Sequence, residues 1–280
     1  MTRSPPPARV AFPGERGAYS EDAVSAIWPD AEAVPARYPL DVAHAVVAGA
    51  VDAGVLPVEN TLAGSVVASY DALAQCGELH AVAERVIRIR HCLLGSHGAT
   101  IDGIELVESH PVALAQCTAF LARHPRIEIR AATDTGRAAL DIAQAGDPRR
   151  AAIAGLAAAT RYGLSVLASG IEDRPDNQTR FLAVSRTPAV IATGTAARTS
   201  LVFTTPNDPG ALVRALTPLA NHKLNLSKLE SRPTGEPWTY RFFADVEHDA
   251  GDAAHVLTLR AMCAATQTLR VLGTYARQTS

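Results

Sequence analysis

Asp176-Asn177-Gln178-Thr179-Arg180-Phe181-Leu182-Ala183-Val184 is the stretch on which the reading of this chain turns. A polar run of amides, a hydroxyl and a guanidinium enters an apolar tetrapeptide that reads as a strand going into a core. Polar groups at the mouth of a strand are where a ligand is commonly held. In a regular strand successive side chains face opposite sides, so Arg180 points away from Thr179 unless the strand starts after it. Upstream, strand-like and helix-like segments alternate from residue 9 to residue 184, which predicts an α/β fold with a parallel or mixed sheet.

With 280 residues the chain fits two domains and can bury a large core without staples. A formal net charge of -2 gives no electrostatic case for nucleic acid or an anionic membrane, leaving small molecules or copies of itself as partners. Cys76, Cys92, Cys117 and Cys263 are scattered with no Cys-x-x-Cys pair, so neither a zinc site nor a disulfide framework is indicated. Reduced thiols in a cytoplasmic protein are expected. Residues Met1 to Ala8 carry three successive prolines and no apolar signal region, so the protein is expected to be soluble and unsecreted.

In chain order, Arg9 to Phe12 reads as a strand broken by Pro13-Gly14, and Ser20 as the N-cap of a helix with Glu21 and Asp22 in its first turn. Such a strand, turn and helix present free N–H groups to a ligand. Gly14-x-x-Gly17 lacks the full G-x-G-x-x-G of dinucleotide binders, and a carboxylate suits the same pocket. Asp41 is expected to cap a helix over Val42 to Ala50. Strand Ala53 to Val58 then ends in Glu59-Asn60-Thr61, an acid, an amide and a hydroxyl where open α/β sheets bind ligands. A capping role for Asn60 or Thr61 can coexist with that. Ser65 to Leu73 looks helical. Leu79 to Leu94 reads as one long strand crossing between two lobes, with a hinge near it.

A second α/β series follows: strand Ile104 to Val107, a turn through His110-Pro111, and helix Val112 to Leu121. If that helix starts early, Ser109 and Gln116 share a face. His110 reads as a structural turn residue or as a catalytic one. Strand Ile127 to Ala131, an Asp134-capped helix Ala138 to Ala145, strand Ala151 to Ala154, helix Leu156 to Tyr162 and strand Ser165 to Ala168 complete the series. Two sheets joined by two crossings predict a cleft. Arg186 to Arg198 reads as a linker. Beyond it come strand Leu201 to Phe203, a helix capped by Asp208 and running to about His222, strands Leu224 to Glu230 and Thr239 to Val246, helix Ala253 to Ala265, and strand Leu269 to Leu272. That β-α-β-β-α-β order is ferredoxin-like, and such sheets often pair with a second copy.

Several of these stretches together resemble the prephenate dehydratases. Gly14 to Ser20 is similar to the family's G-x-x-G-[TA]-[FY]-S turn, and Pro57-Val58-Glu59-Asn60-Thr61 to its P-[IV]-E-N-S. Ser109-His110-Pro111 with Ala115-Gln116-Cys117, Asp134-Thr135, and Asn177-x-Thr179-Arg180-Phe181 match in order and spacing. Gly210-Ala211-Leu212 and Glu230-Ser231-Arg232-Pro233 resemble the phenylalanine-binding motifs of the ACT domain that follows in these enzymes. Departures are Thr61 where Ser is usual, Val112 where Gln is usual, and Gly136-Arg137 in a normally alanine-rich turn.

The resemblance implies an α/β fold: a two-lobed periplasmic-binding-protein-like (type II) catalytic domain over 9–185, with lobes 9–90 plus 176–185 and 91–175. A linker at 186–198 and a ferredoxin-like βαββαβ ACT domain over 199–276 would follow. It implies decarboxylating dehydration of prephenate to phenylpyruvate in the cytoplasm, with no cofactor and no metal. Aromatisation drives the reaction, so the protein must place the substrate, exclude water and stabilise the leaving oxygen. Thr179 carries the expected catalytic hydrogen bond, and Glu59 is the alternative acid if burial raises its pKa. Asn60, Ser109 and Gln116 are donors for the carboxylates and ketone. Ala18, Ser20, Thr61, Thr135, Arg180 and Phe181 complete the expected substrate contacts. L-phenylalanine is the implied effector, bound at Gly210, Ala211, Leu212, Asn225, Leu226, Glu230, Ser231 and Arg232 between paired domains of a homodimer or homotetramer. An arogenate dehydratase, a non-catalytic two-lobed solute binder and a regulatory protein that only binds phenylalanine are the other readings.

Overall fold

Short apolar strands punctuated by glycine and proline build two mixed sheets early in the chain and one antiparallel sheet at its end, in a computed structural model that describes residues 6–278. Most of the expectation for residues 1–8 lies outside the described residues.

The first elements are β1 (Arg9–Pro13), α1 (Tyr19–Ile27), β2 (Glu32–Ala36), α2 (Pro39–Val47), β3 (Ala53–Asn60), β4 (Gly64–Ser65), α3 (Val67–Gln75), β5 (His80–Arg88) and β6 (Cys92–Gly95). Next come β7 (Leu106–Ser109), α4 (Pro111–Ala115), α5 (Thr118–Ala122), β8 (Glu128–Ala131), α6 (Thr135–Ala145), β9 (Arg150–Ala154), α7 (Leu156–Tyr162), β10 (Ser165–Ser169) and β11 (Gln178–Ser185). One sheet runs β2-β1-β3-β11-β5 with β4 folded back on β3, and the other runs β10-β6-β9-β7-β8. Each mixes parallel and antiparallel pairs. Two mixed α/β sheets are what the sequence led one to expect of this part of the chain.

At the central strands β6 and β9 both faces of the second sheet are buried, which is why those two read as continuous apolar runs, while the edge strands β8 and β10 are largely exposed. Leu94, Ala152 and Ala154 pack under α6 and α7 with Ala138 and Ile142, while Leu93, Ala151 and Ile153 face Val107, Phe120 and Leu121 on the other side.

The last sheet is built from β12 (Ala196–Thr204), α8 (Ala211–Asn221), β13 (Asn225–Pro233), β14 (Tyr240–Asp249), α9 (Ala253–Ala265) and β15 (Thr268–Ala276). Its order, β13-β14-β12-β15, is antiparallel throughout, the ferredoxin-like arrangement expected from the sequence. Leu201, Phe203, Ala215, Leu219, Ala244, Val246 and Met262 form its core. Among the described residues, compact units comprise 6–72 with 85–182, and 73–84 with 183–278. No helix among the described residues is long and apolar enough to cross a membrane.

Local boundaries depart from the sequence reading for identifiable reasons. Ser20 does not cap α1: Ala18 does, and the turn is held by Gly17 N–H donating to Glu21 Oε2 at 2.6 Å. Asp41 sits inside α2, where its carboxylate accepts from the Tyr38 N–H at 3.0 Å, because Pro39 starts the helix two residues earlier. Residues 79–94 are not one strand. They split into β5 and β6 at Ile89–His91, placing a strand in each sheet. The expected helix over 112–121 breaks at Gln116–Cys117, so Ser109 ends β7 and shares no helical face with Gln116. Gly210, left-handed at φ 79°, precedes α8 in place of the expected cap Asp208, whose carboxylate pairs with Arg214 instead.

Candidate active site

Strand alternation sorts the sequence-predicted residues into two groups. On β11, Thr179 and Phe181 face a crevice of about 1380 Å³, as does Asn60 at the end of β3. Arg180 and Glu59 lie on the opposite faces of the same strands, where Arg180 Nη2 is 3.4 Å from Glu59 Oε2, and neither lines the crevice. The crevice is bounded by the turn after β1, by α1, by the N-terminal ends of α2, α3, α4 and α6, and by the 89–91 crossing.

At its floor lies a network of amides. Asn60 Nδ2 donates to Thr179 Oγ1 at 2.9 Å, to Asn177 Oδ1 at 2.8 Å and to Gln178 O at 3.1 Å. Its Oδ1 accepts from the main-chain N–H groups of Leu62 at 3.0 Å and Ala63 at 2.8 Å, which closes the turn into β4; no helix begins there for Asn60 or Thr61 to cap. Gln116 bridges Asn60 and Asn177, donating through Nε2 at 3.3 Å and accepting through Oε1 at 2.9 Å. Asn177 is fully buried, whereas Asn60, Gln116 and Thr179 are each 9% exposed, enough to present a polar atom to the crevice.

Ala18, Ser20 and Thr135 also line the crevice, at the starts of α1 and α6. The first N–H groups of a helix lack partners within it and favour anions. Asp134 caps α6 as predicted, accepting from Arg137 N–H at 2.9 Å, and the same oxygen accepts from Glu15 N–H at 3.3 Å. Gly136 fits directly beneath the β1–α1 turn: a Cβ there would come within 2.6 Å of Arg16 O and 2.9 Å of Ala18 N. The Tyr162 hydroxyl donates to Arg16 O at 2.7 Å across the same seam.

Besides Arg180, two more predicted contacts fall elsewhere. Ser109 is fully buried with its hydroxyl donating to Ile153 O at 2.5 Å, and it does not line the crevice. Thr61 is exposed and staples β11 to the end of β3, its Oγ1 accepting from Gln178 N–H at 3.0 Å. His110 lines the crevice with Nδ1 accepting from Val112 N–H at 3.2 Å, and burial lowers its pKa. Val112 is on the wall, 39% exposed.

Sequence reasoning missed Arg37, Tyr19 and His91. Arg37 is an exposed cation on the crevice rim, over the Tyr38 ring at 5.0 Å. No local motif marks it. Tyr19 and His91 touch each other across 72 positions, a contact invisible in one dimension. Cys117 is buried, which pushes its thiol up to about 12 and leaves it inert as a nucleophile. Among the described residues no cluster of three or more His, Cys, Asp or Glu is placed to hold a metal ion.

In the last sheet, Leu212 and Leu226 pack against the module's own core. Asn225 donates to Glu247 Oε2 at 3.0 Å, Glu230 lies 3.3 Å from Lys228 Nζ, Ser231 is exposed and Arg232 half-buried, while Gly210 and Ala211 open α8.

Comparison with known proteins bears on this geometry. Residues 10–189 match the family model "Prephenate dehydratase" and residues 199–264 the model "ACT domain". The arogenate dehydratase/prephenate dehydratase 2 of Arabidopsis thaliana is 40% identical over 95% of this chain and 72% of its own length. A prephenate dehydratase of Arthrobacter aurescens, solved in complex with L-Phe, superposes with a TM-score of 0.89 at 33% identity, over 96% of this chain and 90% of that one. GqqA, described as a novel type of quorum quenching acylase, superposes at 0.88 with 32% identity, over 96% and 98% of the two chains. With its amide-lined crevice followed by a ferredoxin-like sheet, the chain belongs to the prephenate dehydratase family of hydro-lyases and carries a C-terminal ACT domain.

Proposed function

We propose that this protein converts prephenate to phenylpyruvate, carbon dioxide and water, with Thr179 as the residue that acts on the departing hydroxyl. The ring carboxylate leaves as carbon dioxide, its C–C bond electrons enter the ring, and the C–O bond breaks. The hydroxide that departs takes one proton to become water. A threonine hydroxyl is too weak an acid to supply that proton at neutral pH, so it donates a hydrogen bond that strengthens as charge grows, and solvent supplies the proton. The single observation that carries this reading is the Asn60 Nδ2 to Thr179 Oγ1 bond at 2.9 Å. It occupies the threonine oxygen as acceptor, leaves its O–H to donate into the crevice, and polarises that O–H.

The ring carboxylate must lose its charge, so a cation upon it would retard the reaction. Arg37 and the N-termini of α1 and α6 therefore suit the pyruvyl carboxylate, near Ala18, Ser20 and Thr135. Gln116 holds the ketone, and Phe181 packs on the ring. Glu59 and Arg180 steady β3 and β11 from behind. An acyl-transfer nucleophile, as an acylase needs, requires an adjacent base. Among the described residues, Thr179 Oγ1 bonds to an amide and to no imidazole or carboxylate.

We assign 9–185 to the catalytic domain, 186–198 to a linker and 199–276 to the ACT domain, supported by the two family matches. L-phenylalanine binds between paired ACT sheets of a homo-oligomer, favours a closed crevice and inhibits. The edge position of β13, with Leu229 41% exposed, supports such pairing. Four free cysteines, one of them exposed, fit a reducing, cytoplasmic compartment. Arogenate is the second substrate reading, favoured by the arogenate activity in the name of the Arabidopsis relative. Incubation of the purified protein with each compound decides: phenylpyruvate from prephenate is expected, while phenylalanine from arogenate alone would reassign the substrate, and neither product would refute the reaction.

A further inference from the structure

We propose that His91 is a positioning residue for Thr179, acting through Gln116 from the crossing between the two lobes; this role rests on the reaction proposed above. His91 is 1% exposed and lies between β5 and β6. There the two crossings run side by side, with Ile89 N–H donating to Asn177 O at 2.9 Å and Ile171 N–H to His91 O at 3.1 Å. The imidazole touches both lobes. Its Nδ1 is 3.1 Å from the Tyr19 hydroxyl on α1, and its Nε2 is 3.0 Å from Gln116 Oε1 at the end of α4. The Tyr19 ring stands edge-on to it, centroids 5.7 Å apart.

Amide polarity decides what this imidazole does. Two main-chain donors, Leu62 and Ala63, fix Asn60 with its oxygen toward them and its NH₂ toward Thr179. Gln116 must then turn Nε2 to Asn60 Oδ1, which leaves Oε1 facing Asn177 Nδ2 and His91. An amide oxygen only accepts, so His91 carries its proton on Nε2 and donates it to Gln116. The Tyr19 hydroxyl gives its own proton to Arg90 O at 2.6 Å, which fixes the main chain beside the imidazole. The imidazole keys one Gln116 orientation and holds the donors of the two lobes in register, so that Asn60 stays on Thr179 while the remaining Gln116 N–H faces the crevice.

Steady-state kinetics with prephenate on His91→Leu, His91→Gln and His91→Phe test this. His91→Leu is expected to lower kcat roughly 10- to 100-fold, the cost of a misplaced catalytic group, with KM moving far less. His91→Gln, which keeps an N–H donor, is expected to recover most of that loss. Parent-like kcat in His91→Leu, or equal impairment of the two variants at parent-like melting temperature, would overturn the role. Where His91→Leu fails to fold, His91→Phe, which fills the space without an N–H donor, carries the test: it should lower kcat as far as His91→Leu would, and a kcat equal to that of His91→Gln overturns the role. A parent that does not turn over prephenate removes the reaction itself, and this role with it; a parent that turns over while His91→Leu keeps its kcat removes the role alone.

Discussion

Thr179 and Arg180 are neighbours in sequence and strangers in space, and their separation follows from the two-residue period of a strand. The strand period was legible before any coordinates, yet Arg180 was still expected among the substrate contacts; its place behind the sheet beside Glu59 corrects that expectation. Ser109 was not legible. Its hydroxyl is spent on Ile153 O, a contact 44 residues away. Arg37 was missed because a rim cation belongs to no motif, yet it is the side chain whose charge best matches the pyruvyl carboxylate. Arg37→Gln should raise KM for prephenate by roughly tenfold or more, as for one lost charge-assisted hydrogen bond, with kcat little changed. Steady-state kinetics at low salt would check this, and an unaltered KM would assign the carboxylate to the helix ends alone.

At the scale of elements, the strands and helices were readable and their ends less so. Cap residues were read from chemistry alone, but Ala18 and Gly210 hold cap positions because the turns before them, not their own side chains, satisfy the helix ends. The division of 79–94 into β5 and β6 was hidden because both pieces are apolar and the break at Ile89–His91 has neither glycine nor proline. Gly136 was flagged as a departure, and its reason is steric: only a glycine lets α6 approach the turn before α1 so closely. Gly136→Ala is therefore expected to prise the crevice open, lowering kcat/KM about tenfold or more while the melting temperature falls only modestly. Steady-state kinetics and thermal melting would read both, and parent-like kcat/KM would contradict the expectation.

The β14–α9 contact makes a pH prediction. His248 and His255 stack 3.7 Å apart and nearly parallel. Burial, then the neighbouring His248, lowers the pKa of His255 to about 4. The folded chain thus keeps His255 neutral while an unfolded chain protonates it below its ordinary value near 6.5, so stability falls as pH drops from about 6.5 toward 4. Asp22, raised to about 6 by burial, acts in the opposite sense, so the comparison must be with a variant. His255→Phe should flatten the fall in melting temperature between pH 7 and pH 5 relative to the parent; an unchanged slope would contradict it.

For the whole molecule, the order of elements gave both the two-sheet α/β body and the ferredoxin-like sheet, because each is written in a local period that tertiary contacts do not override. The convergence of Asn60, Gln116 and Thr179 was implied by the resemblance; what the linear order withheld is His91, which joins them from a fourth segment. Regulation also belongs to this scale. Added L-phenylalanine is expected to lower velocity and, at a hundredfold excess over its Kd, to add about 2.7 kcal/mol of stability, visible as a higher melting temperature. Neither change would refute an effector site.

The most direct test is kcat for prephenate in Thr179→Ala beside Glu59→Gln. A hydroxyl that stabilises the leaving oxygen predicts a loss of about 10²–10³ in the first, with KM nearly constant, and near-parent turnover in the second. Full turnover by Thr179→Ala, or collapse in Glu59→Gln alone, would contradict it.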